Sequence, residues 1–278
     1  MSDISTTDIT YPSVLLNFPA EKYHAVPAMS AGGLKRMAQS PAHYYGAQLD
    51  PDRPPPGDPT PAMAAGTLMH CALFEPDQVE ARYVVRPDDL DGRSKAGKQW
   101  TAEQTRIVVD EQQMQVAQRQ ARAVQALPDV GALLSSGFGE ASAFWRDEDT
   151  GALCKCRPDW TAPAGDGVIL VDGKTCIDAS PEGFARAIVN FGYHRAAAWY
   201  SDGYEQASGK PVYGYVFACA ESAYPHAAAA YMLGDEDLER SRAHNRVMLN
   251  LYAECKRTGV WPGYPPGVQL IELPKWAR

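Results

Sequence analysis

The clearest pattern in the chain is a short apolar run at residues 168–171, which is bounded by turn residues and followed directly by D-G-K. A continuous apolar run of this length indicates a strand that is buried on both faces. Side chains alternate along a strand, so Asp172 and Lys174 should project from the same face, roughly 6–7 Å apart. A carboxylate and an ammonium group are therefore expected side by side at the end of a buried strand.

A second strand is predicted just upstream, because apolar and charged residues alternate over residues 153–157. Asp159 closes this segment. If residues 162–167 form the turn between the two strands, Asp159 lies beside Asp172. We therefore expect two carboxylates and the Lys174 ammonium group at one end of a hydrophobic sheet.

These three groups suit a hard divalent cation. Mg²⁺ prefers oxygen ligands and keeps several waters, so two protein carboxylates plus phosphate oxygens are sufficient. A lysine beside such a metal can orient or deprotonate a water molecule, or stabilise charge on a phosphorane-like transition state. The alternative is structural: the aspartates cap strand ends, and the lysine pairs with one of them.

The remaining patterns predict an α/β fold with a mixed central β-sheet flanked by helices. Helices are expected at residues 30–40, 62–73, 102–127, 130–135, 180–189, 194–206 and 235–257, and further strands at 141–145 and 212–219. Residues 50–61 and 86–99 read as polar or proline-rich loops, and residues 1–26 as an N-terminal arm. We expect one domain over residues 1–278, with a core sheet at 139–220 that carries the metal site.

Two further residues could add to this site. Glu140, at the entry to the predicted sheet, is a third candidate carboxylate. His70 lies on the small, apolar helix predicted at 62–73, where a lone histidine is more commonly a satisfied core residue than a ligand.

Two basic segments are candidate phosphate contacts. Ser30 is predicted to cap a helix with Lys35 and Arg36 in its first turns, and such a helix start can seat a phosphate. An ordinary capped surface helix explains the same residues. Arg93, Lys95 and Lys98 surround two glycines in the 86–99 loop, which is either simply solvated or in contact with a phosphate backbone.

Composition narrows the class of protein. The 278 residues are 45% hydrophobic and 22% charged, as in a soluble globular protein, and no apolar run reaches the roughly 20 residues of a membrane span. The N-terminus has no secretory signal, and six scattered cysteines predict a reducing cytoplasm rather than a disulfide framework or a cysteine metal site. The net charge of −8 argues against bulk coating of nucleic acid, although a local basic channel remains compatible with a nuclease.

Five motifs in order resemble one known family. They are G-T-x-x-H at 66–70 with L-x-E-P nearby, E-x-S at 140–142, C-x-C-R-P-D at 154–159, D-x-K-T at 172–175, and Y-H-x-x-x-A-x-Y-S-D-G-Y at 193–204. The pattern resembles the nuclease domain of RecE (exonuclease VIII) and its prophage relatives in the PD-(D/E)xK nuclease superfamily. The resemblance covers roughly residues 23–278 and ends in a similar L-P-x-W-A.

The resemblance implies the restriction-endonuclease-like PD-(D/E)xK core and a set of roles. Asp159, Asp172 and the Gly173 carbonyl would bind Mg²⁺ (for which Mn²⁺ substitutes), with His70 completing the site and Lys174 as the catalytic lysine. Glu140 would be an auxiliary catalytic acid. Arg195 and Tyr200, in the last motif, join the candidate DNA contacts.

The family would also imply a 5′→3′ double-strand DNA exonuclease that leaves 3′ overhangs for phage-type recombination by single-strand annealing. Expected partners are DNA ends, a RecT- or Bet-like annealing protein and further copies of the chain in a trimeric or tetrameric ring, with no membrane. Such a protein, encoded by a phage or prophage, would act in the bacterial cytoplasm. A PD-(D/E)xK endonuclease remains an alternative.

One position departs from the family pattern. A glutamine is expected four residues before Tyr200, where this chain has Ala196. Its absence could reduce activity, shift its role to His194 or Arg195, or leave a catalytically weakened protein that binds DNA ends within a recombination complex.

Overall fold

The fold is that of a computed structural model, which describes residues 9–55 and 57–273. Its helices are α1 (Ala20–Ala25), α2 (Ala31–Gln39), α3 (Pro41–Gln48), α4 (Pro61–Phe74), α5 (Val79–Arg82), α6 (Lys95–Ala102), α7 (Glu111–Gln125), α8 (Pro128–Leu134), α9 (Pro181–Phe191), α10 (Tyr193–Ser208) and α11 (Asp235–Thr258). Its strands are β1 (Ser13–Leu15), β2 (Tyr83–Val85), β3 (Ile107–Val109), β4 (Phe138–Gly139), β5 (Ser142–Arg146), β6 (Leu153–Cys156), β7 (Trp160–Ala164), β8 (Gly167–Cys176), β9 (Val212–Glu221) and β10 (Ala228–Tyr231).

A mixed five-stranded sheet, in the order β10-β9-β8-β7-β4, forms the centre of the fold. β8 and β9 are parallel, and the other neighbours are antiparallel. Alternate residues of β8 enter opposite cores: Leu170 packs with α9, α10 and α11, and Val171 packs with α4 and α7. The predicted mixed sheet flanked by helices is therefore confirmed.

The predicted pairing of residues 153–157 with 168–171 is wrong. β6 pairs instead with β5, and β5 also pairs with β1 of the N-terminal segment, in a separate three-stranded sheet. The chain changes sheets at Glu140, between β4 and β5, with a backbone φ of 55°. Few non-glycine residues adopt this left-handed conformation, so the crossing point is a locally strained one.

Residues 162–167, predicted as a turn, lie mostly in β7 and β8. β7 is the antiparallel partner of β8, and the turn between them is confined to Gly165 and Asp166, with Gly165 at φ 58°. Pro163 is tolerated in β7 because β4 pairs only with residues 160 and 161, so the absent N–H of Pro163 faces no further strand. β8 itself extends to Cys176, so Asp172 and Lys174 lie within the strand rather than after it.

The long helix predicted at 102–127 is also wrong. Ser94 caps α6, which ends at Ala102, and β3 then pairs in parallel with β2. α7 begins only at Glu111, where Asp110 and Gln113 form a reciprocal capping box. The β-branched run at 107–109 and the D-x-x-Q signature were the local signals of this break.

The other predicted helices and strands lie within two residues of the observed bounds at both ends. After α11, Trp261 stacks on Tyr44 with ring centroids 5.6 Å apart. Pro274 and Trp276, which belong to the L-P-x-W-A segment, lie outside the described residues. Within residues 9–55 and 57–273, no helix combines the length and apolar character needed to cross a bilayer.

Candidate metal centre

Asp172 and Lys174 project from the same face of β8, as the alternation of the strand predicted. The Lys174 Nζ atom contacts Asp172 Oδ2 and lies 3.1 Å from the Gly173 carbonyl oxygen. The ammonium group also lies 5.1 Å from the ring centroid of Tyr193, at the start of α10. Asp172 is only 7% exposed, so this ion pair is held in a largely dehydrated site.

Asp159 reaches the same point from the start of β7. Trp160 pairs with Val171 in the β7–β8 ladder, which places Asp159 next to the Asp172–Gly173 peptide. The Gly173 N–H donates to Asp159 Oδ2 at 2.8 Å. The predicted closeness of Asp159 to Asp172 therefore holds, although β7 rather than residues 153–157 provides it.

His70 approaches from α4, on the opposite face of the sheet from the Asp172 and Lys174 side chains. Its Nε2 atom lies 2.7 Å from the Gly173 carbonyl oxygen, and its Nδ1 atom lies 3.4 Å from Asp159 Oδ2. Gly173 permits this approach: a Cβ atom at that position would lie 2.8 Å from Phe74 Cε2 and 3.3 Å from His70 Nε2. The structure thus brings the lone histidine of the apolar helix to Asp159 and the Gly173 carbonyl.

Burial and neighbouring charges shift the pKa values of Asp159 and Lys174. Burial raises the pKa of Asp159, and the neighbouring Asp172 raises it further, against the opposing charges of His70 and Lys174. Burial by itself lowers the pKa of Lys174, but Asp172 and Asp159 outweigh that effect and hold its pKa above the ordinary value. The two buried aspartates carry more negative charge than Lys174 alone offsets, and a bound cation can neutralise the remainder.

The donor atoms fit a hard divalent cation. Two carboxylates and a carbonyl oxygen would supply oxygen ligands, and His70 would supply a nitrogen if its hydrogen bond to the Gly173 carbonyl is released. Asp172 Oδ2 is buried, and its close partner is the Lys174 ammonium group, which a bound metal ion would have to share or displace. Among the residues that the structure describes, no three acidic, histidine or cysteine side chains already converge as a ready-made cage. Mg²⁺ does not need one, because water and phosphate oxygens complete its shell.

Glu140 lies at the edge of this centre and is paired. Its carboxylate contacts Arg157 Nε, and its backbone N–H donates to the Asp159 carbonyl at 3.1 Å. Burial raises the pKa of Glu140, Arg157 lowers it, and Asp159 raises it further. Arg157 also donates to the Phe18 carbonyl at 3.0 Å, so Glu140 and Arg157 together tie the N-terminal segment to the sheet junction.

Four of the predicted DNA contacts lie close together. Ser30 caps α2 by accepting from the Gly33 N–H, and Lys35 on the same helix donates to the Phe191 carbonyl at 3.0 Å. Arg195 Nη1 lies 2.9 Å from His244 Nε2, and Tyr200 follows on α10. All four side chains line two adjoining cavities beside α2.

The other four do not join them. Arg36 lies in the last turn of α2 rather than its first turns, which corrects its assignment to a phosphate seat at the helix start. Arg93 pairs with Asp91 at 3.4 Å, and Lys95 and Lys98 lie on α6. Their role in binding DNA stays a prediction.

Two neighbours of the centre were missed in the sequence. Arg157 lies inside the C-x-C-R-P-D motif, so its position was a usable signal. Tyr215 lies on β9, on the same face as Asp172, and burial followed by the Asp172 charge raises its pKa well above the usual range. Only the parallel register of β8 and β9 reveals that neighbour.

Comparisons with known proteins agree with this architecture. A family model described as "PDDEXK-like domain of unknown function (DUF3799)" matches residues 30–274. A search of curated proteins gives no match. The crystal structure of a "Putative exonuclease" from Eubacterium rectale superposes with a TM-score of 0.62 over 88% of both chains at 15% identity. A structure described as SSO0001, with a TM-score of 0.28, 12% identity and 48% and 65% coverage, is too distant to inform the fold.

Proposed function

The chain belongs to the PDDEXK-like domain family, and from that premise we propose that it is a metal-dependent nuclease that hydrolyses DNA phosphodiester bonds. One observation carries the proposal. Asp159 and His70 both contact the Gly173 peptide of β8, and at the neighbouring positions of that strand Asp172 pairs with Lys174.

The proposed mechanism assigns each group a role. Asp159 and Asp172, with the Gly173 carbonyl and His70, would hold Mg²⁺ or Mn²⁺. When bound, the ion polarises the scissile phosphate and stabilises the leaving 3′ oxygen. Lys174, held between Asp172 and the Tyr193 ring, positions the attacking water and offsets negative charge in the transition state. Phe74 and Trp160, whose rings stack 6.4 Å apart, shield the α4 side of the centre.

We further propose that the substrate is a duplex DNA end, digested 5′→3′ to leave 3′ overhangs for single-strand annealing. The order of the five motifs supports this specificity. A trimeric or tetrameric ring that encircles the DNA would keep an acidic protein on its substrate without attraction from bulk positive charge. An annealing protein would then bind the exposed strand. Action in the cytoplasm of a bacterial host belongs to the same proposal.

Ala196 favours a second candidate, a protein that binds DNA ends without cutting them. The position lies on α10 one turn before Tyr200 and lines a small cavity with Lys35 and Arg195. If the family glutamine is needed there to organise the scissile end, its loss leaves binding intact and removes turnover.

These proposals are tested by incubating the protein with linear duplex DNA that is labelled at either its 5′ or its 3′ ends, in Mg²⁺ or in EDTA. Closed circular DNA is digested in parallel. We expect early, Mg²⁺-dependent loss of the 5′ label and intact circles. Nicked circles would instead indicate an endonuclease. Binding without release of nucleotides under any divalent cation would support the second candidate.

A further inference from the structure

Two adjoining cavities form a continuous groove on the α2 side of the sheet. The wider one has a volume of about 570 Å³ and the narrower one about 100 Å³, and they share Ala31 and Gly32 at the N-terminus of α2. We call this feature the cationic groove. It lies on the opposite side of the central sheet from α7.

The charge of the groove contrasts with that of the protein. Lys155, Arg53 and Lys256 line its wide part, and Lys35 and Arg195 line its narrow part. Among the described residues that line either cavity, none is an aspartate or glutamate. The charged residues that line the groove are therefore all basic, although the chain has a net charge of −8. Such a local concentration of positive charge suits a polyanion.

Part of this charge is available to a ligand. Lys155 is buried, and its Nζ atom donates to the carbonyl oxygens of Tyr23 and Val26, both at 2.8 Å. It therefore contributes charge from the groove wall. Arg53 and Lys256 are exposed at the rim, where they can reach phosphates directly. The first turn of α2 adds backbone N–H groups, which have no acceptors within their own helix.

Aromatic side chains accompany the cations. Tyr23, Tyr44, Tyr200 and Tyr252 all border the wide part. Tyr200 is half-buried and is the ring most open to the groove, whereas the other three are each 6% exposed. Cations that follow a phosphate backbone, combined with aromatic rings that contact bases, are the arrangement by which proteins bind single-stranded nucleic acid. A duplex hides its bases in the stack and gains little from such rings.

The groove begins beside the metal centre. The Tyr200 ring lies 6.1 Å from the Tyr215 ring on β9, and Tyr215 pairs with Leu170, two residues before Asp172. Tyr200 at the groove and the Asp172 carboxylate therefore lie on the same side of the central sheet.

We propose that the cationic groove binds a single-stranded DNA segment, namely the 3′-ended strand that is left uncut as its complement is digested. This inference rests on the proposed nuclease function for the origin of the strand. The binding itself does not depend on hydrolysis, so the two proposals can fail separately.

Fluorescence anisotropy in EDTA, where hydrolysis is blocked, tests the inference. Labelled duplexes would carry a blunt end, a 3′ overhang or a 5′ overhang, and the wild-type protein should bind the 3′-overhang DNA most tightly. The variant Arg53→Gln/Lys256→Gln should bind that DNA about tenfold more weakly. The slope of log affinity against log salt concentration should become shallower by about 1.4, which is about 0.7 for each lost phosphate contact. Its affinity for blunt DNA should stay unchanged.

The matched control is Arg119→Gln/Arg122→Gln, which removes the same charge from exposed positions on α7. This variant should keep the full preference for the 3′ overhang. If Arg53→Gln/Lys256→Gln loses as much affinity for blunt DNA as for overhang DNA, the groove contacts the duplex and the inference is overturned. A wild-type protein that does not prefer the 3′ overhang would overturn it as well. Overhang binding in a wild-type protein that releases no nucleotides with Mg²⁺ would instead contradict only the proposed nuclease function.

Discussion

His70 and Gly173 are 103 positions apart in the chain, yet His70 Nε2 lies 2.7 Å from the Gly173 carbonyl oxygen. The contact crosses from α4 to β8 and is possible only because residue 173 has no side chain. It joins the apolar helix to the strand that carries Asp172 and Lys174. The metal centre therefore depends on the fit of a helix against one peptide of the sheet.

Gly173→Ala should disrupt that fit. The added Cβ would lie 2.8 Å from Phe74 Cε2 and 3.3 Å from His70 Nε2, so both rings must move. We expect nuclease activity to fall about 10–100-fold, as when the support of a metal ligand is lost. Initial rates of nucleotide release at saturating Mg²⁺ measure the effect.

Gly66→Ala is the control for this prediction. Gly66 lies on α4, and a Cβ there would meet only Thr175 Oγ1, at an ordinary 3.7 Å. Alanine should raise the free energy of unfolding by about 0.5–1 kcal/mol, because it favours a helix interior over glycine, and activity should persist. Full activity in Gly173→Ala would contradict the role given to the His70 contact.

Asp172→Asn and Lys174→Met should each lower the cleavage rate about 10³-fold. The first removes a metal-binding charge and the second removes the cation beside the water, and a loss of about 4 kcal/mol of transition-state stabilisation corresponds to about 10³-fold in rate. Rates are measured on end-labelled duplex, with circular dichroism to verify folding. Asp178→Asn, an exposed aspartate on the loop after β8, serves as the control and should retain wild-type rates. Activity of Asp172→Asn equal to that of the wild type and of Asp178→Asn would refute the assigned site.

Ala196→Gln should be tolerated by the fold and should increase cleavage. The residue is partly exposed and borders a cavity of about 100 Å³, so a longer side chain has space and stability should change by less than about 1 kcal/mol. A glutamine there would reach the region between Lys35 and Arg195, beside Tyr200. Thermal denaturation and initial rates are measured on both proteins. An unchanged or lower rate would show that position 196 does not limit this enzyme.

Lys155 should make stability depend on pH. Burial lowers the pKa of this lysine from 10.5 to about 8. Between these values the unfolded chain binds more protons than the folded protein, so the contribution of Lys155 to stability rises with pH from about 8 to 10.5. The difference in unfolding free energy between wild type and Lys155→Met, measured by urea denaturation, should increase across that window. A constant difference would argue that the folded lysine keeps its ordinary pKa.

The same substitution should destabilise the protein at neutral pH. Lys155 Nζ donates to the carbonyls of Tyr23 in α1 and of Val26 just after it, and methionine would leave both without that donor. A buried unsatisfied carbonyl costs about 1–3 kcal/mol, so a loss of about 2–4 kcal/mol is expected. Lys256→Met, an exposed lysine of the same groove, should lose far less.

The features that could be predicted are those with local causes. Ser30, Ser180 and the apolar spacing behind them placed helix starts within one residue of the structure, because a capping side chain acts on the backbone three residues away. The break between α6 and α7 was missed, although Asp110 and Gln113 carry an equally local signal, because helix-forming residues on both sides masked a three-residue strand.

Strand partners could not be predicted in the same way. The sequence interpretation paired residues 153–157 with β8 and assigned residues 162–167 to the turn, whereas residues 160–164 are the strand that pairs with β8. The choice depends on which strand buries more surface against α4 and α10, a property of the assembled layers. The contact of His70 with Gly173 could not be predicted either. The sequence predicted the helix that carries His70, but not which face of that helix packs against β8.

By itself, the sequence determined the mixed α/β character, most helix bounds, and the shared face of Asp172 and Lys174, because caps and side-chain periodicity act over a few residues. Tertiary structure alone decided that Asp159 meets Gly173 through β7, that His70 reaches the same peptide, and that five basic side chains from separate elements line one groove. Those relationships join residues distant in the chain, and they are fixed only when the two faces of the sheet are packed and strand register is chosen.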